Sequence, residues 1–312
     1  MHQPPWVTFC ISTYKRPQLL HKQLAHLLQQ TFLHFEIVIS DNDPGGSARA
    51  VAASFQDERI RYFHNEENLG MMKSFNRSID HATSAYIVMV TDDDPVKENF
   101  LADMYELCRQ YPGYSLYGGF TRGVARQEAP TFIDKDRFVT ELLDPARTPD
   151  ILWSSCVLER QAALAAGKIP DYGSPHLADH AFVAMAGSIG GGVVVNRMYS
   201  TLTQHENNFS KFNIEYYTVG CKGFYEVMNA FCKDKKGYVQ NRKIVLKHIG
   251  TWFIATMFTL KRYHTVTKNR EMICQVDNCA RQIISFPFMQ PFRPKFYAKS
   301  FIFRIKKALH LL

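Results

Sequence analysis

Three consecutive carboxylates, Asp92, Asp93 and Asp94, are the residues of this chain whose type and spacing most strongly indicate chemistry. They follow a short apolar, β-branched run at 86–90 and are followed directly by a proline. Such a run, ended by a breaker, predicts a buried strand that delivers the acids at its carboxyl end. Adjacent carboxylates repel one another, so the pattern favours a hard divalent cation carrying phosphates as their partner. The alternative is an acidic turn that caps a helix beginning near Val96.

Two earlier apolar runs, at 7–12 and 35–40, also end in polar side chains. The groups at these ends are Thr13 and Arg16 after the first run, and Asp41 and Asp43 after the second. Strands joined by a helix usually pair in parallel, and open α/β sheets bind ligands at the carboxyl ends of their strands. We therefore expect these side chains to lie beside the three aspartates, along one edge of a sheet.

The elements that must position these residues alternate between strand and helix. Apolar runs at 7–12, 35–40, 60–63 and 86–90 predict strands, and segments with helical spacing lie between them. This alternation is typical of an α/β protein with a doubly wound, mostly parallel sheet. Further along the chain, residues 115–120 predict a strand followed by a long polar connection through Pro149, and residues 193–200 predict another strand.

Composition and the motifs that are missing exclude several classes of protein. No apolar stretch approaches the roughly 20 residues of a membrane-spanning helix, and the N-terminal residues do not follow the pattern of a signal peptide. The seven cysteines are odd in number and scattered, which favours reduced thiols in a cytosolic protein. No glycine-rich loop of the dinucleotide or P-loop type is present, so phosphates would have to be bound by metal and side chains.

Four stretches of the N-terminal portion resemble family 2 glycosyltransferases of the GT-A type, as found among bacterial surface-polysaccharide enzymes. They are VTFCISTYKRP at 7–17, EIVISDND at 36–43, ENLGMMKSFNRS at 67–78 and AYIVMVTDDD at 85–94. The resemblance implies a Rossmann-like GT-A sheet with flanking helices and the transfer of a sugar from a nucleotide donor. Family members often carry Asp where Thr91 stands and Arg where Phe75 stands, which leaves open both the donor's sugar and the division of roles among the acids.

The same resemblance implies a nucleoside site built from three segments. Thr13 and Arg16, with Tyr14 between them, match the loop that closes over the nucleoside. Asp41 matches the acid that accepts a hydrogen bond from a uracil base, and Asp43 belongs to the same donor site.

The resemblance further implies how the diphosphate and a metal would be held. Asn68 lies in the family's Asn-x-Gly loop, and Lys73 is a candidate for contact with the diphosphate. Asp92 and Asp94 match the D-x-D element, with Asp92 and Asp93 on the donor and Asp94 on the metal. His205, in a segment similar to the family's H-x-x-N-x-S, is a second expected ligand of Mn²⁺ or Mg²⁺.

The acceptor side is expected in the middle of the chain. Trp153 faces a sugar ring in one interpretation and is a core tryptophan in the other. Asp179 stands where the family places its general base, with an N-cap role as the alternative and Asp171 as the other candidate base. His176 and His180 flank this segment and are expected to be structural hydrogen-bonding residues.

The chain carries a net charge of +8, and its C-terminal part is rich in basic residues interleaved with aromatic ones. We expect a GT-A catalytic domain over 1–212, with a nucleotide-binding half at 1–110 and an acceptor half at 111–212, followed by a helical region at 213–312. Aromatic and basic residues at helical spacing favour contact with an anionic membrane surface, the alternative being packing with solvated lysines.

The resemblance, together with these patterns, implies a cytoplasmic, peripherally membrane-associated inverting glycosyltransferase that takes a nucleotide-sugar donor, expected to be a UDP-sugar. Its acceptor would be a glycan or a saccharide linked to a lipid diphosphate. One alternative is a metal-dependent nucleotidyltransferase, which normally has a glycine-rich basic loop after its first strand. The other is a nucleic-acid-binding module that uses the basic aromatic tail; the acid cluster would repel nucleic acid, so none is expected as a partner.

Overall fold

A computed structural model describes residues 4–119, 129–144, 153–200, 209–309 and 311. The chain divides into two compact units. The first comprises Met1–Asp171 and Ala178–Thr203, and the second comprises Tyr172–Leu177 and Gln204–Leu312.

The described part of the first unit is built on one eight-stranded sheet. Its strands are β1 Val7–Thr13, β2 Phe35–Asp41, β3 Ile60–His64, β4 Tyr86–Val90, β5 Leu116–Gly119, β6 Thr131–Ile133, β7 Cys156–Glu159 and β8 Gly192–Val195. Their order across the sheet is β3-β2-β1-β4-β7-β5-β8-β6. Strands β1 to β4 pair in parallel, and β7 runs antiparallel to β4 and β5. The expected mostly parallel α/β sheet is therefore confirmed.

Helices flank this sheet and connect its strands. They are α1 Pro17–Leu27, α2 Arg49–Ser54, α3 Met71–His81, α4 Phe100–Gln110, α5 Phe138–Leu143, α6 Arg160–Ala165 and α7 Ala178–Gly190. Because β1, β2 and β4 are covered by helices, their side chains are buried almost throughout. A parallel sheet buried on both faces gives continuous apolar runs in the sequence, which is why these strands could be recognised.

Register explains why the polar strand ends meet. In the pairing of β1 with β2, Thr13 lies opposite Asp41. In the pairing of β1 with β4, Ile11 lies opposite Val90, so the acidic turn begins level with Thr13. The carboxyl ends of these three strands form one edge of the sheet, which confirms the arrangement expected from the sequence.

Two local expectations and one alternative were wrong. The connection from Phe120 to Pro149 is not simply polar, because its described part contains β6 and α5, with Phe138 and Leu143 buried. The predicted strand at 193–200 ends at Val195, since the chain then turns to place Ser200 in an isolated bridge with Val96. No helix begins near Val96: α4 begins at Phe100 with Asn99 before it, so the acidic turn does not cap that helix.

The second unit is helical in its described residues, as expected for the C-terminal region. Its helices are α8 Phe209–Phe212, α9 Glu215–Cys232, α10 Tyr238–Val266, α11 Arg270–Ser285 and α12 Arg293–Ala308. Helices α9, α10 and α11 pack on one another around apolar side chains such as Phe224, Phe253 and Ile283. Throughout the described ranges, no helix combines the length and apolar character needed to cross a bilayer.

Candidate active site

The acidic turn after β4 is tied to the loop after β1 by a buried cluster of charges. Thr13 Oγ1 donates to one carboxylate oxygen of Asp92 at 2.9 Å, and Arg16 Nη1 donates to the other at 3.1 Å. The same nitrogen also donates to Asp93 at 3.2 Å. The Arg16 side chain is 33% exposed, against 6% for Asp92 and 14% for Asp93. One guanidinium therefore offsets two carboxylates at the edge of the sheet.

Burial and neighbouring charges act on the acidity of Asp92. Removal from water raises the pKa of its carboxyl above the ordinary value, while the charge of Arg16 and the hydroxyl of Thr13 act in the opposite direction. The neighbouring charge of Asp93 raises this pKa further. The cluster thus gains from any additional positive charge placed beside these two acids.

Asp94 is held differently from its two neighbours. Thr91 Oγ1 donates to its carboxylate at 2.9 Å, and Gln23 Nε2 on α1 donates to its backbone carbonyl at 2.8 Å. The side chain is buried, with 8% of the residue exposed. The sequence offered one signal for Gln23: it is a polar residue on the buried face of α1, between Leu20 and Leu24.

Asp41 is fully buried and its carboxylate is committed to the loop that follows β2. It accepts hydrogen bonds from the backbone N–H of Asp43 at 3.1 Å and of Ala48 at 2.9 Å, and from the hydroxyl of Tyr62 at 2.9 Å. Asp43 accepts in turn from the N–H of Gly45 at 3.1 Å. The carboxylate of Asp41 therefore fixes the course of residues 42–48, a role that its sequence motif did not reveal.

Asn42 links this loop to the Asn-x-Gly loop. Its amide nitrogen donates to Asn68 Oδ1 at 2.8 Å, and its amide oxygen accepts from the N–H of Leu69 at 2.9 Å. Asn68 itself is exposed, and the Gly70 that follows adopts a left-handed φ of 83° at the start of α3. Although Asn42 lies inside a recognised motif, its role could not be predicted because its partners are 26 and 27 residues away.

Helix α3 carries residues that reach the segment before α7. Lys73 Nζ lies 3.8 Å from Asp171 Oδ2, and the Lys73 side chain is 64% exposed. Asn76 exchanges two hydrogen bonds with the backbone of Ile169, at 2.8 and 2.9 Å. The expected diphosphate-binding lysine and one of the two candidate bases are thus neighbours.

The other candidate base, Asp179, lies in the first turn of α7. Its Oδ2 is 3.9 Å from His180 Nε2, and its side chain is 29% exposed. Asp179 and Asp171 both belong to the first unit. Both retain enough exposure to meet a ligand from solvent.

Trp153 is a packed residue in the structure. It lies in a 3₁₀ turn at Trp153–Ser155, is 8% exposed, and its ring centroid is 4.8 Å from that of Phe75. The family resemblance led us to expect arginine at position 75, and the contact with Trp153 gives the phenylalanine found there an apolar partner.

Of the remaining residues named from the sequence, two lie within the described part of the structure and one does not. Tyr14 is 41% exposed, with Lys15 Nζ 5.3 Å from its ring centroid. His176 belongs to the second unit, where its ring stacks on Tyr217 at 3.7 Å. His205 lies outside the described residues.

Comparison with known proteins shows a family model and several glycosyltransferases to which the N-terminal half of this chain is similar. The model of Glycosyl transferase family 2 matches residues 8–154. Glycosyltransferase GlyG of Streptococcus pneumoniae is 27% identical over 116 residues, which is 36% of this chain and 38% of that protein. The GalNAc(5)-diNAcBac-PP-undecaprenol beta-1,3-glucosyltransferase of Campylobacter jejuni is 26% identical over 114 residues, 36% of each chain. The matched region thus spans little more than a third of these curated relatives.

Solved structures resemble a much larger part of the chain. Staphylococcus aureus TarS 1–349 in complex with UDP-GlcNAc gives a TM-score of 0.60 at 14% identity, covering 93% of this chain and 92% of that one. The mannosyltransferase PcManGT from Pyrobaculum calidifontis, in complex with GDP-Man and Mn²⁺, gives 0.57 at 13% identity, covering 97% and 87%. At these identities the likeness concerns the fold, and it confirms the expected GT-A architecture.

Proposed function

We propose that this chain is an inverting family 2 glycosyltransferase of surface-polysaccharide synthesis, supported by the match of residues 8–154 to the family model and by the GT-A fold. Its donor is a nucleotide-diphosphate sugar, most simply a UDP-sugar, and its acceptor is a hydroxyl of a glycan or of a lipid-linked saccharide. The observation that carries the proposal is the cluster of Thr13, Arg16 and the acidic turn at the carboxyl edge of three parallel strands. The Campylobacter jejuni relative, whose name gives an undecaprenol-linked saccharide as its acceptor, supports the choice of acceptor.

On the donor side, the residues of this edge bind and orient the nucleotide. Thr13, Tyr14 and Arg16 form the loop over the nucleoside, and the loop fixed by Asp41 presents Asp43 beside it. Asn42 of that loop donates to Asn68, which lies in the Asn-x-Gly loop. Lys73 is exposed and basic, which suits contact with the diphosphate. Asp92 and Asp93 bind the ribose side of the donor.

The carboxylates of the acidic turn after β4 are suitable ligands for a divalent cation. Carboxylate oxygens are what Mg²⁺ and Mn²⁺ prefer, and the burial of these acids already draws in a guanidinium as counter-charge. Within the described ranges no group of three or more His, Cys, Asp or Glu side chains is preassembled to hold a metal ion, so phosphate oxygens and His205 are expected to complete the shell. Asp94 would hold the ion, which when bound offsets the charge of the departing nucleotide diphosphate.

Asp179 is proposed as the general base. It takes the proton of the acceptor hydroxyl as that oxygen bonds to the anomeric carbon, while the bond from this carbon to the terminal phosphate oxygen breaks. Attack from the face opposite the leaving group inverts the anomeric centre. Asp171 remains the second candidate, since its contact with Lys73 places it near the expected diphosphate.

Such an acceptor would bring the enzyme to the inner face of a membrane. We therefore propose a cytoplasmic protein that works peripherally at that surface, with the helical region at 213–312 as the part that approaches lipid.

Turnover of the donor tests the assignment. We expect Asp94→Ala and Asp179→Asn each to lower the rate of sugar transfer by at least about a hundredfold, because each removes a group needed in the transition state. Asp171→Asn is the matched comparison for the base. Near wild-type transfer by both Asp94→Ala and Asp179→Asn would overturn the assignment, and loss only in Asp171→Asn would move the base to that residue.

A thermal-shift panel identifies the nucleotide. UDP, GDP and dTDP are compared with and without Mn²⁺, since a ligand that binds only the folded state raises the unfolding temperature. UDP with Mn²⁺ is expected to give the largest shift.

A further inference from the structure

The last 35 residues of the chain have an unusual charge. Residues 278–312 contain seven Lys and Arg side chains and no Asp or Glu. The rest of the chain has 30 basic residues against 29 acidic ones, so nearly all of the net charge of +8 resides in this segment. A helix, α12, occupies 16 residues of it.

One face of α12 packs inside the second unit. The Phe296 ring centroid lies 5.5 Å from that of Phe253 and 5.7 Å from that of Phe258, both on α10. Phe303 lies 5.8 Å from Phe258. Phe296 and Phe303 are both buried, so this face already has its partner.

A second apolar face of the same helix has no partner among the described residues. At the helical repeat of about 100° per residue, Tyr297, Phe301, Ile305 and Leu309 fall within an arc of about 120°, and Ile302 borders it. Their exposed fractions are 59%, 65%, 43%, 61% and 51%. The arc is centred about 170–210° away from Phe296 and Phe303, on the opposite side of the helix.

Basic residues border this exposed face. Lys295 and Lys306 lie along one side of the arc and Arg304 along the other, and all three are exposed. Between α12 and α10 runs a groove of about 360 Å³ whose lining combines Phe258, Ile302 and Phe303 with the basic side chains of Arg262, Lys299 and Lys306. An apolar stripe flanked by positive charge is complementary to a bilayer, which has an apolar interior and anionic headgroups.

We propose that the exposed face of α12, defined by Tyr297, Phe301, Ile302, Ile305 and Leu309, docks on an anionic phospholipid surface. The apolar side chains enter the boundary between headgroups and acyl chains, while the lysine and arginine side chains extend toward the phosphates. The docking face rests on the proposed function, because it is the surface by which the enzyme would reach its membrane. The contact with lipid itself involves no catalytic residue.

Charge decides between this partner and a second copy of the chain. Two copies that met through this face would bring together two sets of basic side chains, and α12 has no acid to pair with them. Like charges at such an interface are unfavourable, whereas an anionic bilayer supplies the missing negative charge.

Co-sedimentation of the full chain with vesicles tests the proposal. Vesicles of phosphatidylcholine with phosphatidylglycerol are expected to bind the protein at least about tenfold more strongly than phosphatidylcholine alone. The double variant Phe301→Ser/Ile305→Ser should lower binding to the anionic vesicles by about tenfold or more, because it removes two large apolar groups from the inserted face. Lys295→Gln/Lys306→Gln should lower it several-fold and weaken its dependence on salt.

Matched variants elsewhere in the second unit serve as controls. Val239→Ser/Val266→Ser alters exposed apolar residues at the two ends of α10, and Lys236→Gln/Lys243→Gln makes the same change in charge away from α12. The proposal would be overturned if the α12 variants and the control variants bound anionic vesicles equally well. It would also be overturned if the wild type did not bind anionic vesicles. Two further results would also overturn it: self-association in vesicle-free solution that Phe301→Ser/Ile305→Ser abolishes, or retention on single-stranded RNA without vesicle binding.

Binding of UDP in vesicle-free solution separates the two proposals. The Phe301→Ser/Ile305→Ser variant should bind UDP as the wild type does, since both changes lie outside the donor site. Loss of vesicle binding with UDP binding intact supports the docking face, whereas failure of the wild type to bind any nucleotide concerns the proposed function alone.

Discussion

Arg16 is the residue whose contacts say most about the candidate site. It bridges Asp92 and Asp93, which lie 76 and 77 positions further along the chain. A buried carboxylate without a partner is costly, so the guanidinium stabilises the turn in the absence of substrate. The same two acids are those that the family resemblance assigns to the donor.

Replacing Arg16 tests whether it acts as a counter-charge. Arg16→Gln is expected to lower the free energy of unfolding by about 1–2 kcal/mol, less than the ~3–5 kcal/mol typical of a fully buried pair, because a third of its side chain is exposed. Mn²⁺ should then raise the unfolding temperature of the variant more than that of the wild type, since an ion held by the neighbouring Asp94 would supply the positive charge that Asp92 and Asp93 have lost. Thermal unfolding with and without Mn²⁺ measures both effects.

Arg59→Gln is the comparison for this experiment. Arg59 forms a 2.7 Å ion pair with Asp57, whose side chain is more exposed than those of Asp92 and Asp93. Loss of this ion pair should therefore bring no added response to Mn²⁺. An Arg16→Gln protein as stable as the wild type and indifferent to Mn²⁺ would show that Arg16 is not the counter-charge of these acids.

His176 predicts a dependence of stability on pH. Burial lowers the pKa of its imidazole to about 4, and Nε2 has no hydrogen-bond partner among the described residues. In the unfolded chain the pKa of this imidazole is about 6.5. Between about pH 4 and pH 6.5, therefore, the imidazole is protonated in the unfolded state and neutral in the folded state. The neutral ring thus contributes stability that is complete above about pH 6.5 and is lost as the pH falls toward 4, by up to about 3 kcal/mol.

The variant His176→Phe keeps an aromatic ring against Tyr217 and removes the titrating group. Its free energy of unfolding should fall less steeply than that of the wild type between pH 6.5 and pH 4.5, as measured by urea denaturation. His34→Phe, at an exposed position of the first unit, should leave the slope of the wild type unchanged. Parallel slopes for His176→Phe and the wild type would contradict the assignment.

At the scale of elements, hydrogen bonds to the last residue of β2 fix the conformation of the loop that follows this strand. Asp41 terminates the strand and receives three hydrogen bonds from residues of the loop and of β3. The loop then presents Asp43 and Asn42 at the edge of the sheet. A substitution at Asp41 therefore acts on the shape of this edge as well as on any ligand.

Asp41→Asn should destabilise the protein by about 1–3 kcal/mol, because the new amide nitrogen must face the N–H of either Asp43 or Ala48. Affinity for UDP should fall with it as the loop shifts. Urea denaturation and calorimetric titration with UDP measure the two effects. Tyr62→Phe removes only one of the three donors and should cost about 1 kcal/mol. An Asp41→Asn protein with wild-type stability and no UDP binding would instead indicate direct contact between Asp41 and the nucleotide.

At the scale of the whole molecule, the two units carry different chemistry. The first concentrates acidic and amide side chains at one edge of its sheet, where a nucleotide-sugar would bind. The second carries the acid-free basic segment and the exposed face of α12. In the proposed function the first unit would carry out the sugar transfer and the second would meet lipid, an arrangement that suits an acceptor held in a membrane.

Much of the fold was predictable because its signals are local. The apolar runs of β1, β2 and β4 and the helical spacing of α1 and α3 are read from neighbouring residues, and parallel pairing then follows from the helices between the strands. The position of Thr13, Asp41 and the acidic turn on one edge was therefore available from the sequence. The short elements between 129 and 144 were missed because segments of three to six residues carry too little periodicity.

By itself the sequence determined the class of sheet, the edge that gathers the acids, and a helical tail in which basic and apolar residues alternate. Only the tertiary structure decided which candidate side chains are committed to internal contacts: Arg16 bonds to two aspartates, Asp41 accepts from its own loop, and Trp153 packs on Phe75. It also decided which apolar face of α12 is packed and which is left to solvent. The reason is that periodicity is a property of adjacent residues, whereas hydrogen bonding and burial depend on partners that only the folded chain brings together.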